Sequence, residues 1–142
     1  MATDMQDLAA RYLAQTPDGV MIADAQGIIT YWNAGCERIF GFKEGEAKGQ
    51  SLDLIIPVNL RKRHWDGWDG TMRTGETRYG NGDLLSVPAL HKDGRRISVE
   101  FSILPFLDGD GRIVGIVATM RDVTAKFDEL KALRKAAAGH AR

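Results

Sequence analysis

Three β-rich runs joined by two glycine-containing turns occupy much of the second half of this 142-residue chain. The runs cover Leu84 to Leu90, Arg96 to Leu104 and Ile113 to Thr119. The connections at residues 91–94 and 108–111 each contain an Asp-Gly pair, which favours a tight hairpin turn. Because hairpins join antiparallel neighbours, the sequence predicts three consecutive antiparallel strands here.

The first part of the chain predicts a helix, a hairpin and a second helix. Apolar residues recur at helical spacing from Asp4 to Gln15, with Asp4 as N-cap. The β-rich runs Val20 to Ala23 and Ile28 to Trp32 flank a four-residue turn. Asn33 then caps a helix that Gly41 ends. That helix is predicted to carry Cys36, Ile39 and Phe40 inward.

The remaining segments predict helices. Lys43 to Lys48 is one helical turn, Ser51 to Ile56 is a short apolar segment, and a longer helix runs from about Val58 to Arg73. Val123 to Ala138 is predicted to be a final helix with an apolar seam. The order of elements predicts an α+β fold, a five-stranded antiparallel sheet with helices on one face and flanking helices at both ends.

Length and charge exclude several classes of protein. The chain has the size of one domain, and its 19 basic and 19 acidic residues give no net charge and no basic excess for nucleic acid. Its longest apolar runs, Leu52 to Val58 and Ile113 to Met120, are shorter than the roughly 18 residues of a membrane span. Since no secretory signal opens the chain, a cytoplasmic location is predicted. The lone Cys36 cannot form an intrachain disulfide.

Several short motifs follow one another from about residue 16 to 124. They are Pro17-Asp18-Gly19-Val20, Asp24, Gly27, Ile29, Asn33, Phe40-Gly41-Phe42, Gly75-Glu76, Lys92-Asp93-Gly94 and Asp122-Val123-Thr124. In kind, order and spacing they resemble the motifs of PAS domains. The resemblance implies a sheet curved round a pocket that the middle helices close. It also implies a flanking helix at 1–15, a sensor domain at 16–124 and a signalling helix at 125–142.

A histidine on the long middle helix is the candidate ligand-binding residue. His64 shares one helix stripe with Leu60, Trp68 and either Thr71 or Met72. The residues leave two interpretations open, a polar-tipped core histidine or an axial ligand of heme iron. In the heme-binding oxygen-sensor PAS domains that this chain resembles, the ligating histidine lies on this helix. It precedes the Thr-Gly-Glu type of turn after the helix by as many residues as separate His64 from Gly75. The resemblance therefore implies heme b held by His64, with Trp68 beside it.

Two further groups complete the expected heme site. Arg61, in the basic triplet 61–63, could pair with a heme propionate through charge-assisted bonds. In the resembling sensors an Arg or a Met reaches the distal side from the strand after the helix, but residues 83–87 contain neither. Leu84 or Leu85 stands there instead. We therefore expect an apolar distal wall that favours carbon monoxide or nitric oxide relative to the Arg-bearing sensors.

The chain is thus predicted to be a sensor and not an enzyme. It would sense O2, CO, NO or redox state through heme. The alternative is a PAS module that binds another small molecule, or only a partner protein, without heme. No paired carboxylates or activated nucleophile indicate catalysis. The cysteine motif of the flavin photoreceptor branch is absent. A downstream signalling domain or a separate protein would receive the signal.

Apolar stripes on the terminal helices predict a homodimer. Helices this short are marginal alone in water, so each stripe needs a covering surface. The chain's own sheet is one candidate surface, but the PAS resemblance implies a dimer, and a symmetric contact between two copies is the commonest way to bury such a stripe. The stripes consist of Met5, Leu8, Tyr12 and Leu13 at one end and of Phe127, Leu130 and Leu133 at the other.

Overall fold

The computed structural model describes residues 4–76 and 83–140. The first three residues of the predicted N-terminal flank and the last two of the C-terminal one therefore lie outside the described residues. The described elements, in chain order, are α1 (Met5–Gln15), β1 (Gly19–Asp24), β2 (Ile29–Trp32), α2 (Ala34–Phe40), α3 (Glu44–Ala47), 3-10 turns at Leu52–Ile55 and Val58–Leu60, α4 (Arg61–Thr74), β3 (Leu85–Leu90), β4 (Arg96–Leu107), β5 (Ile113–Asp122) and α5 (Thr124–His140).

The five strands form one antiparallel sheet in the order β2-β1-β5-β4-β3. Both hairpins predicted in the second half of the chain are present, and β1 pairs with β5 as well as with β2. The predicted α+β fold is confirmed. No helix in the described ranges is long and apolar enough to cross a membrane.

The core lies between the sheet and the helices α2 to α4. Trp32 and Phe40 are almost completely buried, and their rings lie 5.4 Å apart between centroids. Burial of one such side chain contributes about 1.5–3 kcal/mol. Cys36 is also fully buried, and burial raises the pKa of its thiol to about 12, so it stays protonated and packs as a small apolar residue. The core positions predicted on α2 are confirmed.

The side chain of Asn33 fixes the start of α2. Its Oδ1 accepts hydrogen bonds from the backbone N–H of Val20 at 2.8 Å and of Cys36 at 3.0 Å. Its Nδ2 donates to the carbonyls of Leu13 at 2.7 Å and of Asp18 at 3.0 Å. One buried amide therefore caps α2 and ties the end of α1 to the first strand.

The opposite face of the sheet carries apolar side chains under α1. None of the residues of α1 is buried. A groove of about 510 Å³ lies where the end of α1 meets this outer face. The apolar residues that line it include Leu13, Val20, Ile22, Leu104, Phe106 and Val117.

The two terminal helices leave the sheet at neighbouring points. Gly19 at the start of β1 pairs with Met120 near the end of β5. Beside this pair, Arg121 contacts the carboxylate of Asp18 through two hydrogen bonds, from Nε at 3.0 Å and from Nη2 at 3.2 Å. Thr124 is the first residue of α5, and its hydroxyl oxygen accepts a hydrogen bond from the backbone N–H of Ser98 at 2.9 Å.

Two strands extend beyond their predicted ends. β4 continues to Leu107 and β5 to Asp122, whereas the sequence predicted ends at Leu104 and Thr119. Proline lacks the N–H that a central strand needs, so Pro105 indicates a strand end from sequence alone. Pro105 pairs with Ile116 of β5, and no described strand lies on the other side of β4 at this point, because β3 begins at Leu85, opposite Phe101.

Candidate ligand site on helix α4

Helix α4 covers the core-facing side of the sheet without being buried itself. It begins at Arg61, after the 3-10 turn, and so three residues later than the helix start predicted at Val58. Leu60 at its N-cap supplies no side-chain hydrogen bond, and none of its residues is fully buried. Gly75 ends it with φ +76° and donates its N–H to the carbonyl of Thr71 at 2.8 Å, as predicted.

His64 presents a neutral imidazole with an unengaged nitrogen. Its Nδ1 is buried and has no hydrogen-bond partner in the described part of the chain. Burial lowers the pKa of the ring, and the nearby carboxylate of Asp53 offsets part of this effect. The imidazole is therefore uncharged at neutral pH and keeps a lone pair for a metal or a hydrogen-bond donor.

Two indole rings flank His64. The centroid of Trp65 lies 4.6 Å from that of the imidazole in an edge-on arrangement with an interplanar angle of 81°. The centroid of Trp68 lies 5.9 Å away at 36°. The two indoles contact each other edge to face at 5.7 Å. Trp68 is one of the predicted site residues and Trp65 is not, although the spacing of three between the tryptophans is that of a shared helix face.

Both indole N–H groups donate hydrogen bonds to segments outside α4. Nε1 of Trp65 donates to the carboxylate of Asp53 at 2.7 Å. Nε1 of Trp68 donates to the carbonyl of Ala25, in the turn between β1 and β2, at 2.9 Å. The same turn contains Gly27, where an added Cβ would lie only 2.2 Å from the six-membered ring of Trp65. The indole therefore rests directly on a glycine backbone.

Arg61 is held by the segment that precedes α4. Its Nε donates to the carbonyl of Ile56 at 3.0 Å, and its Nη2 donates to the carbonyl of Asp53 at 3.1 Å. The Asp53 carboxylate also lies 3.9 Å from Nε. These contacts anchor the first turn of α4, and among the described residues none of them uses Nη1, which can donate to an anion. Arg63 in the same triplet is exposed.

The two leucines predicted for the distal wall differ in burial. Leu84 precedes β3 and is 67% exposed. Leu85, the first residue of β3, is half-buried. Neither belongs to the apolar cluster that Trp65 and Trp68 join. Of the two, Leu85 has the burial of a residue that could line a site.

The donor chemistry at His64 fits heme iron. Heme iron takes a neutral imidazole nitrogen as axial ligand in a largely apolar surrounding. The neutral imidazole of His64 and the adjacent aromatic side chains meet this requirement. The space beside the imidazole is taken by the two indoles, so a group of that size requires α4 or its side chains to move.

The fold and the site define a class, a small α+β module with a candidate ligand residue on the helix that covers its sheet. The match to known proteins is specific. A family model described as a PAS domain matches residues 17–125, well over half of the chain. The chain belongs to the PAS domain family.

Two curated relatives are sensors. The chain is 32% identical over 87 residues to the sensor protein FixL of Bradyrhizobium diazoefficiens. The aligned region covers 61% of this chain and 17% of that protein. It is 24% identical over 123 residues to the oxygen sensor protein DosP of Escherichia coli K12. That aligned region covers 87% of this chain and 15% of that protein. The chain thus spans about a sixth of the length of each relative.

Solved structures show the same fold. The PAS domain of a Colwellia psychrerythraea protein is 22% identical with a TM-score of 0.72, over 86% of this chain and 99% of that one. An RNA-binding light-oxygen-voltage receptor is 18% identical with a TM-score of 0.73, over 94% of this chain and 37% of that one. At these identities the likeness concerns the fold.

Proposed function

We propose that this PAS domain is a heme-based sensor in which His64 is the axial ligand of heme b. The observation that carries the proposal is the half-buried, neutral imidazole whose buried Nδ1 has no partner in the described part of the chain. An unpaired buried polar atom costs free energy, so its retention needs a reason. The similarity to a protein named as an oxygen sensor supports the same function.

The surrounding residues have distinct proposed roles. When bound, the heme supplies an iron that takes up O2, CO or NO or changes its redox state. His64 presents a lone pair, and burial keeps the ring from protonating at neutral pH. Trp68 and Leu85 line the site and exclude water. Arg61 pairs with a propionate through the nitrogen that the carbonyls of Asp53 and Ile56 leave available.

A second function is a PAS module without heme. The packing of Trp65 and Trp68 around the imidazole favours it, because the two indoles already fill the space beside His64. In that case the domain would bind another small molecule, or only a partner protein, and His64 would be a half-buried aromatic neighbour of the tryptophans.

Titration with hemin separates the two functions. We expect the purified chain to give a Soret band that shifts with carbon monoxide and is lost in His64→Ala. Free imidazole should restore the band in that variant. His91→Ala is the matched control, because His91 lies in the β3–β4 turn, and it should bind hemin like the wild-type protein. A wild-type protein that stays colourless with hemin, or a His64→Ala variant that binds it equally, contradicts the proposal.

We further propose that the domain works as a homodimer and passes its signal through α1 and α5. Their apolar residues are exposed, with Met5 at 74%, Tyr12 at 66% and Leu133 at 59%. Exposed apolar stripes on terminal helices favour a covering partner. A downstream signalling domain or partner protein would respond to a change between the two copies.

Light scattering at micromolar concentration tests the assembly. We expect a dimer that Leu8→Asp and Leu130→Asp each weaken, since each places a charge in an apolar stripe. Ala132→Asp, an exposed change on the opposite face of α5 from Phe127 and Leu130, is the control and should leave the dimer intact. A wild-type monomer at these concentrations contradicts the proposal.

A further inference from the structure

The turn between β1 and β2 is a rigid anchor point. The carboxylate of Asp24 accepts the backbone N–H of Gln26 at 2.9 Å and of Ile28 at 3.0 Å. The N–H of Gly27 donates to the carbonyl of Asp24 at 2.9 Å, and the carbonyl of Gly27 accepts the N–H of Leu52 at 3.0 Å. The turn is therefore fixed by its own hydrogen bonds and by the 3-10 turn that follows α3.

Helix α4 is fixed much less by its own residues. It has no buried residue and no capping side chain at its start. An added Cβ at Gly67 or Gly70 would meet nothing within 4 Å, so these positions pack closely against no described atom. Glycine also weakens a helix interior. Among the described residues, few interactions other than those of its two indoles and Arg61 therefore hold the helix in place.

We propose that Trp65 and Trp68 are positioning residues that clamp α4, and with it His64, onto the β1–β2 turn. Trp68 ties the helix to the turn through the Ala25 carbonyl, and Trp65 rests on Gly27 while its N–H binds Asp53. Release of this clamp opens the space beside the imidazole. Only the consequence for ligand entry rests on the proposed heme function; the clamp itself does not.

Amide hydrogen exchange on the ligand-free full chain tests the clamp. Trp65→Phe and Trp68→Phe each keep an aromatic ring and remove one N–H donor. We expect amides in residues 61–74 to exchange about fivefold faster in each variant, because one net hydrogen bond is lost, while amides of β5 exchange at the wild-type rate. Asp53→Asn keeps an oxygen acceptor for Trp65 and should stay close to wild type, whereas Asp53→Ala should behave like Trp65→Phe.

Two results overturn the clamp. One is unchanged exchange in α4 in both phenylalanine variants. The other is equal acceleration in α4 and in β5, which would mean global destabilisation. Hemin uptake tests the consequence for entry: the variants should take up hemin faster than wild type, and uptake at the wild-type rate removes this consequence. If no protein takes up hemin, the heme function fails, and exchange alone decides the clamp.

Discussion

Helices α2 and α4 lie on the same face of the sheet and are built in opposite ways. Asn33 caps α2 with a buried side chain, and α2 buries four of its seven residues. Helix α4 is twice as long, has no capping side chain and buries none. The comparison indicates that α2 belongs to the fixed core and that α4 is a cover able to move. The candidate ligand residue lies on the cover.

The largest difference should appear on removal of the α2 cap. Asn33→Ala leaves the buried N–H of Val20 without an acceptor and removes the cap, so we expect a loss of about 3 kcal/mol in the free energy of unfolding. Urea denaturation measures it. Asn33→Asp keeps the acceptor oxygen but places a carboxylate against the carbonyls of Leu13 and Asp18. It should therefore lose less stability than Asn33→Ala. A cost below about 1 kcal/mol for Asn33→Ala would contradict the assignment of the cap.

The same glycine-to-alanine change should have opposite signs in the two helices. In α2, an added Cβ at Gly35 would lie 2.1 Å from the backbone oxygen of Asp18, which cannot yield as a flexible side chain could. We expect Gly35→Ala to cost about 2–3 kcal/mol in the same denaturation experiment. An unchanged urea midpoint would show that the junction between α1 and β1 yields more readily than its contacts indicate.

In α4 the corresponding changes should stabilise. Gly67→Ala and Gly70→Ala meet open space and remove the flexibility of glycine, so each should raise the free energy of unfolding by about 0.5–1 kcal/mol. Exchange of α4 amides should slow in parallel. Destabilisation by either change would reveal a close neighbour on this side of the helix and would weaken the contrast with α2.

The smallest expected effect concerns pH. In the folded, ligand-free protein burial lowers the pKa of His64 below its value in the unfolded chain, so the unfolded state binds the proton more readily. The neutral imidazole of His64 therefore makes its full contribution to the free energy of unfolding above about pH 6.5, and this contribution declines as the pH falls below that value. Denaturation between pH 7.5 and 5 should show a shallower decline in His64→Gln than in wild type. If the free energy of unfolding depends on pH equally in the two proteins, the predicted contribution of His64 is wrong.

Local signals account for what the sequence predicted. The cap at Asn33, the stop at Gly41 and the turn at Asp93-Gly94 each act within a few residues, so the sequence predicted the sheet and α2 correctly. The start of α4 was placed too early because Leu60 offers no capping signal and a 3-10 turn precedes the helix.

The surroundings of the site depend on contacts between distant residues. Trp68 meets Ala25 across 43 positions and Trp65 meets Asp53 across 12. Periodicity on one helix cannot reveal such partners, so Asp53 and the role of Gly27 could not be predicted, whereas Trp65 was missed although its spacing from Trp68 indicates the same helix face. The hydrogen bonds of Arg61 to nearby carbonyls were equally invisible, because they depend on the path of the chain before α4.

The pairing of Gly19 with Met120 has a consequence for how such a domain can be combined with others. Since entry into the sheet and exit from it are side by side, the module can be placed within a loop of a host protein without separating the host's two halves. It also gives α1 and α5 a common pivot, which the ion pair of Asp18 and Arg121 spans. The bases of the two helices therefore lie at one edge of the sheet, where a single partner could contact both.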